Sequence, residues 1–575
     1  MTGASRESAR RRRATTLAML VLAGLATARI ISTYHVFSQT WDEPGHLAAG
    51  MEWWERGTYT YDRSHPPLSR LAIALGPFLE GLRLSGRANT WVVQEGNHIL
   101  HSRGAYFRNL TLARLGALPF FLLATYVVWV WSRRLFGDAA ALVTVLLFTT
   151  LPPVLAHAGL ATTDVPLMAT FAGAMLAFLS WLDRPTSFCS VMLGVAVGLA
   201  ILSKLSALFF LPACGLAILA WRRVIAKDAT QLPHADSAHR LTVVGLVTLS
   251  ALLVIWAGYR FSLRPFTTVA ERPHEIVDRL VGSEGALHHL AYRVAETMPI
   301  PARELIIGIS EVQRLNTAGW TSYLLGEIRH GGWWYFFPVA LAVKSPLAFL
   351  ILTGIGLWIL SRQALRQRTW QPMAPAVAAI ILLIVCLTIR VNVGLRYLLP
   401  IYPLLAIVAG IGAVALWQIS RPRLIGPAAV VGLLAWQVVS SASIHPDYLA
   451  YFNELAGRHP DRILLDSDLD WGQDLLRLAD TLRARGVDTV AIAYNGSADL
   501  SRHGFPRIRP LIPHQPTTGW IAISEMRLKM GDGRPPYDAF LWLDAYKPVT
   551  MVGRSIRLYY VPNTEGAGVP AGTPS

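Results

Sequence analysis

Long blocks of apolar residues, separated by short polar and basic segments, dominate the first 444 positions of the chain. A stretch of about 17 to 25 mainly apolar residues is long enough to cross a bilayer as an α-helix. The pattern therefore predicts an all-α, polytopic membrane module over residues 1–444, with about eleven transmembrane helices. The predicted spans are Thr15–Phe37, Thr111–Trp131, Ala139–His157, Val165–Leu182, Phe188–Ser203, Leu205–Trp221, Leu241–Tyr259, Phe337–Leu360, Pro375–Ile389, Tyr397–Gln418 and Leu424–Ile444.

Basic residues mark alternate connections between these spans, and short loops rich in Lys and Arg stay in the cytoplasm. The marked positions are Arg6, Arg10 to Arg13, Arg133, Arg134, Arg184, Arg222, Arg223, Lys227, Arg362, Arg366, Arg368, Arg421 and Arg423. We therefore expect a multi-pass protein of the plasma (inner) membrane with a cytoplasmic N-terminus. The long segments 38–110 and 260–334, and everything after residue 444, are expected on the outer side.

Composition agrees with a membrane setting. Of 575 residues, 53% are hydrophobic and only 15% are charged, and the mean hydropathy is +0.39. The net charge of +16 is explained by basic residues that flank apolar spans, so we expect no nucleic-acid partner. Cys189, Cys214 and Cys386 all lie inside predicted spans, so no disulfide or zinc framework is implied.

Two adjacent carboxylates, Asp42 and Glu43, follow the first predicted span directly. Ionisable groups at a membrane boundary are costly to hold in a partly dry site, which makes this pair a functional candidate. The alternative is a solvated loop in which the aspartate caps a helix.

Aromatic residues and a double proline follow the carboxylates. The tryptophan and tyrosine rings have an apolar body and a polar edge, which suits both the headgroup region and stacking on sugar rings. In the string His65-Pro66-Pro67-Leu68, the prolines fix the direction of the chain and place His65 at a rigid corner. That histidine is either a ligand contact or a structural residue. The candidate stacking residues are Trp53, Trp54, Tyr59 and Tyr61.

Several short motifs on the expected outer face together resemble the C-type (GT-C) glycosyltransferases that use polyprenyl-phosphate sugars. These enzymes include the protein O-mannosyltransferases and the lipid A aminoarabinose transferases. The motifs are Asp42-Glu43-Pro44-Gly45-His46, His65-Pro66-Pro67-Leu68, Ala161-Thr162-Thr163-Asp164, Ser203-Lys204, Val343-Lys344-Ser345-Pro346 and Arg396-Tyr397-Leu398-Leu399-Pro400. The resemblance implies a GT-C-like fold and transfer of a lipid-linked sugar at the outer interface.

The resemblance implies a role for each of three acidic residues. Asp42 stands at the position of the catalytic aspartate in the first loop of the family, and is our candidate general base. Glu43 is a supporting carboxylate, because adjacent side chains of an extended segment point in different directions. Asp164, in a short outer loop, is the second acid, which orients a basic side chain or the acceptor. An N-cap on the following span is its alternative role.

Donor phosphate should be bound by cations that violate the positive-inside pattern, and four residues do so. Lys204, Lys344, Arg390 and Arg396 all fall at outer ends of predicted spans. Each of them could instead extend to phospholipid headgroups. His65 stands where relatives of the resembled family often have a phosphate-binding lysine, so we include it among the phosphate-binding candidates.

The pattern changes after residue 444, and residues 445–575 are predicted to form a small extracytoplasmic α/β domain. A strand over 462–465, a helix over 473–485 and a strand over 487–494 are expected. The string Asp466-Ser467-Asp468-Leu469-Asp470-Trp471-Gly472 does not fit a calcium loop, because its glycine comes one place late. Its Asp-x-Asp spacing occurs in metal-dependent sugar transferases, but helix capping by Asp470 is the favoured interpretation.

Together with these residues, the resemblance implies an inverting, metal-independent membrane glycosyltransferase without a cofactor. Its expected partners are a polyprenyl-phosphate-linked sugar, the bilayer, and a protein, lipid or glycan acceptor that offers a hydroxyl group. A transporter or flippase of lipid-linked sugars is the first alternative, and a scaffolding membrane protein is the second. A transferase should release free lipid phosphate in detergent, whereas a transporter needs a sealed bilayer.

Overall fold

The computed structural model describes residues 3–87, 90–225, 237–418 and 424–563. Its first eleven helices are α1 (Gly3–Ile31), α2 (Glu43–Arg56), α3 (Pro67–Leu79), α4 (Val92–His101), α5 (Tyr106–Leu115), α6 (Leu118–Thr149), α7 (Pro152–Ala158), α8 (Asp164–Asp183), α9 (Ser187–Ser203), α10 (Ala207–Ile225) and α11 (Ser237–Gly258). The remaining helices are α12 (Glu275–Val281), α13 (Ala286–Thr297), α14 (Arg303–Ala318), α15 (Phe336–Lys344), α16 (Leu347–Gln367), α17 (Ala374–Cys386), α18 (Ile401–Gln418), α19 (Ile425–Ser443), α20 (Leu475–Ala484) and α21 (Glu525–Met530).

The strands are short and are concentrated after residue 488. They are β1 (Leu263–Pro265), β2 (Pro299–Pro301), β3 (Thr321–Leu324), β4 (Glu327–His330), β5 (Thr489–Ala493), β6 (Arg507–Pro510), β7 (Gly519–Ser524), β8 (Thr550–Val552) and β9 (Ile556–Val561). The first four strands form two antiparallel pairs, β1 with β2 and β3 with β4.

Eight helical stretches of the described chain are long and apolar enough to cross a membrane. They are Arg12–Ile31, Tyr106–Thr149, Asp164–Asp183, Ala207–Ile225, Ala238–Gly258, Leu347–Gln367, Ile401–Gln418 and Ile425–Ser443. Shorter apolar helices over Ser187–Ser203 and Gln371–Cys386 coincide with two further predicted spans. The chain is therefore a multi-pass membrane protein. The predicted loop cations Lys227, Arg421 and Arg423, and residues 564–575 of the predicted C-terminal domain, lie outside the described residues.

A glycine reverses the chain within α6. Gly137 has φ 83° and is not helical, a conformation that costs little only without a Cβ atom. The hydroxyl oxygens of Ser132 and Thr144 lie 3.0 Å apart, and the rings of Phe121 and Phe148 stack with their centres 6.2 Å apart. The two halves of this stretch therefore pack against each other, as expected for two successive spans.

Two sequence-based assignments are wrong. The span expected over Phe337–Leu360 is divided between α15 and α16, because Pro346 disfavours the helical conformation at Ser345, which is extended (φ −100°, ψ 138°). The strand expected over 462–465 is absent from the described chain, where Pro460–Arg462 forms a 3-10 turn instead.

Helices α2 to α5 form a small subdomain between α1 and α6. They enclose an apolar core that includes Leu47, Ile73, Ile99 and Leu110. Because these helices pack on one another, the start of α2 and the corner before α3 have fixed positions relative to the membrane helices.

The C-terminal region contains a five-stranded mixed sheet with the order β6-β5-β7-β9-β8. Strand β5 is parallel to β6 and β7, whereas β9 is antiparallel to β7 and β8. Leu478 and Leu482 of α20 pack against one face of this sheet. The observed α20 and β5 agree with the predicted helix and second strand.

The segment before α20 lies directly against the segment before α2. The amide of Ser38 donates to the carbonyl of Gln473 (3.0 Å), and the amide of Trp41 donates to the carbonyl of Trp471 (3.1 Å). These hydrogen bonds bring the C-terminal region next to the Asp42-Glu43 pair.

Candidate functional site

Asp42 forms an ion pair with Arg396, more than 350 positions away in the sequence. Asp42 occupies the N-cap position of α2, and Arg396 lies in the 3-10 turn Leu395–Leu398 just before α18. The two side chains are 25% and 12% exposed, so both are largely removed from water yet remain accessible. The structure thus joins the predicted base to one predicted phosphate ligand.

The electrostatics of this pair depend on burial and on Arg396. Burial alone would raise the pKa of Asp42, but the charge and hydrogen bond of Arg396, together with His46 and His65, outweigh it and hold the pKa below the usual 3.8. Asp42 is therefore ionised at neutral pH. While it is paired with a guanidinium, however, it is a weak proton acceptor.

A second ion pair, between Asp164 and Lys204, lies close to the first. Lys204 Nζ contacts Asp164 Oδ1 at 2.6 Å and lies 4.6 Å from the centre of the Tyr397 ring. The Arg396 guanidinium lies 5.4 Å from the same ring, so Tyr397 joins the two pairs. Asp164 is the first residue of α8, whose N-cap position is occupied by Thr163, so the alternative N-cap role is wrong.

Trp471, from the C-terminal region, completes this grouping. The guanidinium of Arg396 lies 4.5 Å from its ring centre, and the ring of His157 approaches it at 6.2 Å. We use the name catalytic cluster for this group of candidate site residues, which consists of Asp42, His157, Asp164, Lys204, Arg396, Tyr397 and Trp471.

Several buried polar atoms in or beside the catalytic cluster have no hydrogen-bond partner among the described residues. They are Arg396 Nε, Asp164 Oδ2, His157 Nδ1 and Thr162 Oγ1. Buried polar groups in native proteins are almost always paired, because an unpaired group costs about 1 to 3 kcal/mol. A concentration of unpaired donors and acceptors around two ion pairs indicates a site that a polar ligand completes.

Glu43 points away from Asp42 and is fully engaged by protein atoms. Its carboxylate accepts two hydrogen bonds from the Arg114 guanidinium, at 2.8 and 2.9 Å. It also accepts from the amides of Thr40 (2.7 Å) and Ala161 (2.9 Å). Glu43 and Arg114 are completely buried. Glu43 therefore holds the first loop against α5 and the segment before α8, and has no free oxygen for a substrate.

His65 lies beside the start of α2, within a second group of polar residues. Its ring centre lies 5.0 Å from that of His46, and its Nδ1 lies 3.3 Å from a carboxylate oxygen of Asp62. Burial lowers the pKa of His65, although Asp62 opposes this effect. His65 is thus a mainly neutral donor near Asp42 rather than a fixed positive charge.

The other two predicted cations have different surroundings. Lys344 Nζ donates to the carbonyls of Leu449 (2.7 Å) and Asp468 (2.6 Å), so it fastens the C-terminal region to α15. Arg390 is exposed and donates to the carbonyl of Thr317 (3.0 Å). No described contact links Arg390 to the catalytic cluster. The structure therefore brings together Lys204 and Arg396 but not Arg390.

Of the four aromatic residues predicted to stack on sugars, three have rings in aromatic or cation contact with other described side chains and one does not. Trp54 stacks on Phe78, with ring centres 5.7 Å apart, and donates to a backbone carbonyl, which is a packing role. The buried hydroxyl of Tyr59 donates to the carbonyl of His65. Trp53 is covered by the guanidinium of Arg260, at 4.9 Å. Tyr61 is only half-buried and is the one of these four rings for which the structure shows no ring contact.

The acidic segment before α20 differs from its predicted role. Asp470 does not cap α20, which begins after Asp474, so that interpretation is wrong. Asp470 is completely buried, and burial raises its pKa to about 7. One oxygen accepts from the amide of Met526 (2.8 Å), and the other has no described partner. Burial and the charge of Asp42 also raise the pKa of the half-buried Asp466 to about 7, although Arg396 opposes them.

The described part of the chain contains no group of three or more His, Cys, Asp or Glu side chains arranged to hold a metal ion. Asp468, the middle acid of the Asp-x-Asp string, is bonded to the backbone of another segment. The carboxylate of Asp468 accepts from the amide of Leu395, at 3.1 and 3.2 Å from its two oxygens.

No curated protein matches the chain. Residues 107–260 match the sequence family described as dolichyl-phosphate-mannose-protein mannosyltransferase. The Saccharomyces cerevisiae protein O-mannosyltransferase Pmt1-Pmt2 complex, bound to the sugar donor, matches with a TM-score of 0.53 and 12% identity, over 75% of this chain and 90% of that chain.

Two further solved structures match over most of the chain. ArnT from Cupriavidus metallidurans, bound to undecaprenyl phosphate, has a TM-score of 0.47 and 14% identity, over 94% of this chain and 97% of that chain. AglB from Archaeoglobus fulgidus, in complex with an inhibitory peptide and a dolichol-phosphate, has a TM-score of 0.49 and 12% identity, over 97% of this chain and 75% of that chain.

A family model that matches part of the chain, and a fold similar to that of the Pmt1-Pmt2 complex, agree with the expected class, the membrane glycosyltransferases of GT-C type. Within that class, the part that matches the mannosyltransferase family runs from α5 to just past α11. It contains Asp164 and Lys204, whereas Asp42 and Arg396 lie outside it.

Proposed function

We propose that the protein transfers a sugar from a polyprenyl-phosphate donor to the hydroxyl group of an extracytoplasmic acceptor, with inversion at the anomeric carbon. The observation that carries this proposal is the meeting of Asp42 with Arg396 beside the Asp164–Lys204 pair. A transferase of this kind needs a base for the acceptor hydroxyl and cations for the leaving phosphate. The catalytic cluster offers both at one place.

In the proposed step, the acceptor hydroxyl oxygen attacks the anomeric carbon and its proton passes to the carboxylate of Asp42. The bond between the anomeric carbon and the phosphate oxygen breaks, and polyprenyl phosphate leaves. Arg396 and Lys204 stabilise the charge that develops on that phosphate. Attack from the side opposite the phosphate gives inversion.

Arg396 has a double role in this proposal. Without donor, it neutralises Asp42 and keeps an unpaired Nε. A donor phosphate would draw the guanidinium toward itself, because a bidentate arginine–phosphate pair is a strong charge-assisted contact. Asp42 would then lose its cationic partner, its pKa would rise, and it would become a better base when the donor is bound.

The donor and the arrangement in the membrane belong to the same proposal. The family match is to proteins described by dolichyl-phosphate mannose, and the Pmt1-Pmt2 complex of the same fold was solved with its sugar donor. A polyprenyl-phosphate hexose or pentose is therefore the proposed donor class, and a protein, lipid or glycan is the acceptor. Residues 1–444 would form the catalytic module of an inner-membrane protein, with a cytoplasmic N-terminus and residues 445–575 as an extracytoplasmic domain.

The test is release of lipid phosphate in detergent. Full-length protein is incubated with polyprenyl-phosphate mannose and with membranes from cells that lack the gene, which hold unmodified acceptor. We expect free polyprenyl phosphate to appear with the wild type and not with Asp42→Asn. Turnover that requires a sealed bilayer would identify a transporter and refute the proposal.

Metal independence is tested in the same assay. Addition of a chelator is expected to leave turnover unchanged, because the proposed charge stabilisation comes from Arg396 and Lys204. Loss of turnover that added divalent cation restores would show that a metal takes part.

A further inference from the structure

His46 lies one helical turn after Asp42 and is almost completely buried, with 4% of its surface exposed. Residues four positions apart on a helix share a face, and His46 and Asp42 interact electrostatically. The proposed chemistry leaves this histidine without a role.

A hydrogen bond fixes the tautomer of His46. The guanidinium of Arg70 donates through Nε to His46 Nδ1, at 3.2 Å. Because arginine can only donate, Nδ1 must carry the lone pair and the proton must lie on Nε2. Burial, followed by the positive charge of Arg70, lowers the pKa of His46 well below 6.5. The ring is therefore neutral, with its N–H at Nε2.

Arg70 is itself held in place, so this tautomer is built into the fold. Its side chain is completely buried and forms an ion pair with Asp62. It also lies 3.2 Å from the hydroxyl of Tyr59 and donates to the carbonyls of Asp62 and His65. A guanidinium with this many partners is not free to turn toward a substrate phosphate. Its chemical effect is exerted through His46.

The Nε2–H of His46 has no hydrogen-bond partner among the described residues, although the rest of the side chain is buried and fixed. Two features of its surroundings limit the ligand. Asp42 lies on the same helix face, and the cations proposed to bind phosphate, Arg396 and Lys204, belong to other elements. A neutral N–H beside a carboxylate suits a hydroxyl group, which can accept from the histidine and donate to the acid.

We propose that His46 Nε2–H binds a hydroxyl group of the sugar that is carried by the lipid donor, and that Arg70 is the residue that positions it. This inference rests on the proposed transferase function and adds a sugar subsite to it. The subsite would recognise the sugar ring independently of the phosphate. It would hold the anomeric carbon within reach of the acceptor hydroxyl at Asp42.

The test compares two lipids that differ only in the sugar, polyprenyl-phosphate mannose and polyprenyl phosphate. Binding of each to the full-length protein in detergent is measured for wild type, His46→Ala and His46→Gln. Loss of one hydrogen bond predicts about 2- to 13-fold weaker binding of the mannosylated lipid by His46→Ala. Binding of polyprenyl phosphate should stay unchanged, which also shows that the variant is folded. His46→Gln keeps an N–H group and should recover part of the affinity.

Each other outcome overturns the assignment. Equal losses on both lipids would show that His46 acts on the phosphate or on the fold. Unchanged affinity for both lipids, with a raised KM for acceptor, would assign the hydroxyl to the acceptor instead. If the wild type binds neither lipid, the proposed donor class is wrong, and the sugar subsite is refuted together with it.

A spectroscopic measurement tests the positioning role of Arg70. In protein labelled with ¹⁵N-histidine, the signal that is lost in His46→Gln belongs to His46, and at pH 7 it should be that of a neutral Nε2–H ring. Arg70→Gln should shift that signal toward a mixture of tautomers. An imidazolium or an Nδ1–H ring in the wild type would refute the inference.

Discussion

Removing the negative charge of Asp42 should strengthen binding of polyprenyl phosphate while it abolishes transfer. In the donor-free structure Arg396 is paired with Asp42, so an incoming phosphate has to compete for that guanidinium. Asp42→Asn keeps the size of the side chain, releases the arginine, and removes the repulsion between two anions. The same substitution deletes the proposed base.

The expected gain follows from the exposure of the pair. Exposed ion pairs contribute about 0.2 to 1 kcal/mol, and side chains that are 25% and 12% exposed should lie somewhat above that range. A release of about 1 to 2 kcal/mol corresponds to roughly 5- to 30-fold tighter binding, since about 1.4 kcal/mol is a factor of ten. The gain should shrink in high salt, because both interactions are electrostatic.

The assay is titration of full-length protein in detergent with polyprenyl phosphate, followed by calorimetry or by tryptophan fluorescence. Asp183→Asn is the matched control, because it removes the same charge from an ion pair with Arg134 (2.5 Å) that has no described contact with the catalytic cluster. It should leave the affinity unchanged. Equal or weaker binding by Asp42→Asn would refute the competition for Arg396, and retained transfer would refute the base.

Three further predictions concern stability and charge. Glu43→Gln should lower the Tm strongly, because breaking the buried pair with Arg114 costs about 3 to 5 kcal/mol; unchanged melting would contradict its structural role. Lys204→Met should weaken binding of polyprenyl phosphate, because it removes a proposed phosphate ligand and leaves Asp164 without a cationic partner. Lys204→Arg keeps the positive charge and should bind like the wild type. If Lys204→Met also binds like the wild type, Lys204 is not part of the site. The pKa of Asp470 is about 7 in the folded protein against 3.8 unfolded, so the folded state binds more protons and stability falls as pH rises from about 4 to 7. Relative to wild type, Asp470→Asn should therefore gain stability between pH 5 and pH 8, seen as a growing difference in Tm. The gain in free energy of unfolding is at most about 4 kcal/mol at about 1.4 kcal/mol per pKa unit, and a pH-independent difference in Tm would contradict this.

The membrane part of the fold could be predicted because its signal is local. A run of apolar residues must be helical in lipid wherever it occurs, since its backbone polar groups have no other partners. The misplaced break at Pro346 shows the limit of that logic. Run length alone predicted one span there, whereas the conformational restriction before a proline divides it in two.

The positive-inside rule identified cations in unusual places but could not say which of them share a site. Lys204 and Arg396 meet at Tyr397, whereas Lys344 holds carbonyl groups of the C-terminal region. A cation at the membrane boundary can be stabilised by backbone carbonyl groups at the ends of helices and loops as well as by a phosphate. Sequence position does not distinguish these partners, and only the packing of distant elements does.

The same reasoning explains why the motifs that contain His46 and Trp471 do not by themselves assign either residue to the site. His46 lies one helical turn from Asp42, but its tautomer depends on Arg70, which lies outside that motif. Trp471 reaches the cluster through backbone pairing between segments more than 400 positions apart. At Gly394 (φ 144°), a Cβ atom would lie 2.0 Å from the hydroxyl of Ser467, so the close approach of this segment to the turn that carries Arg396 requires glycine. The site thus combines an acid at the membrane boundary, which a local motif predicts, with a C-terminal segment that contains Trp471. The position of that segment depends on the folded structure and cannot be predicted from a local motif.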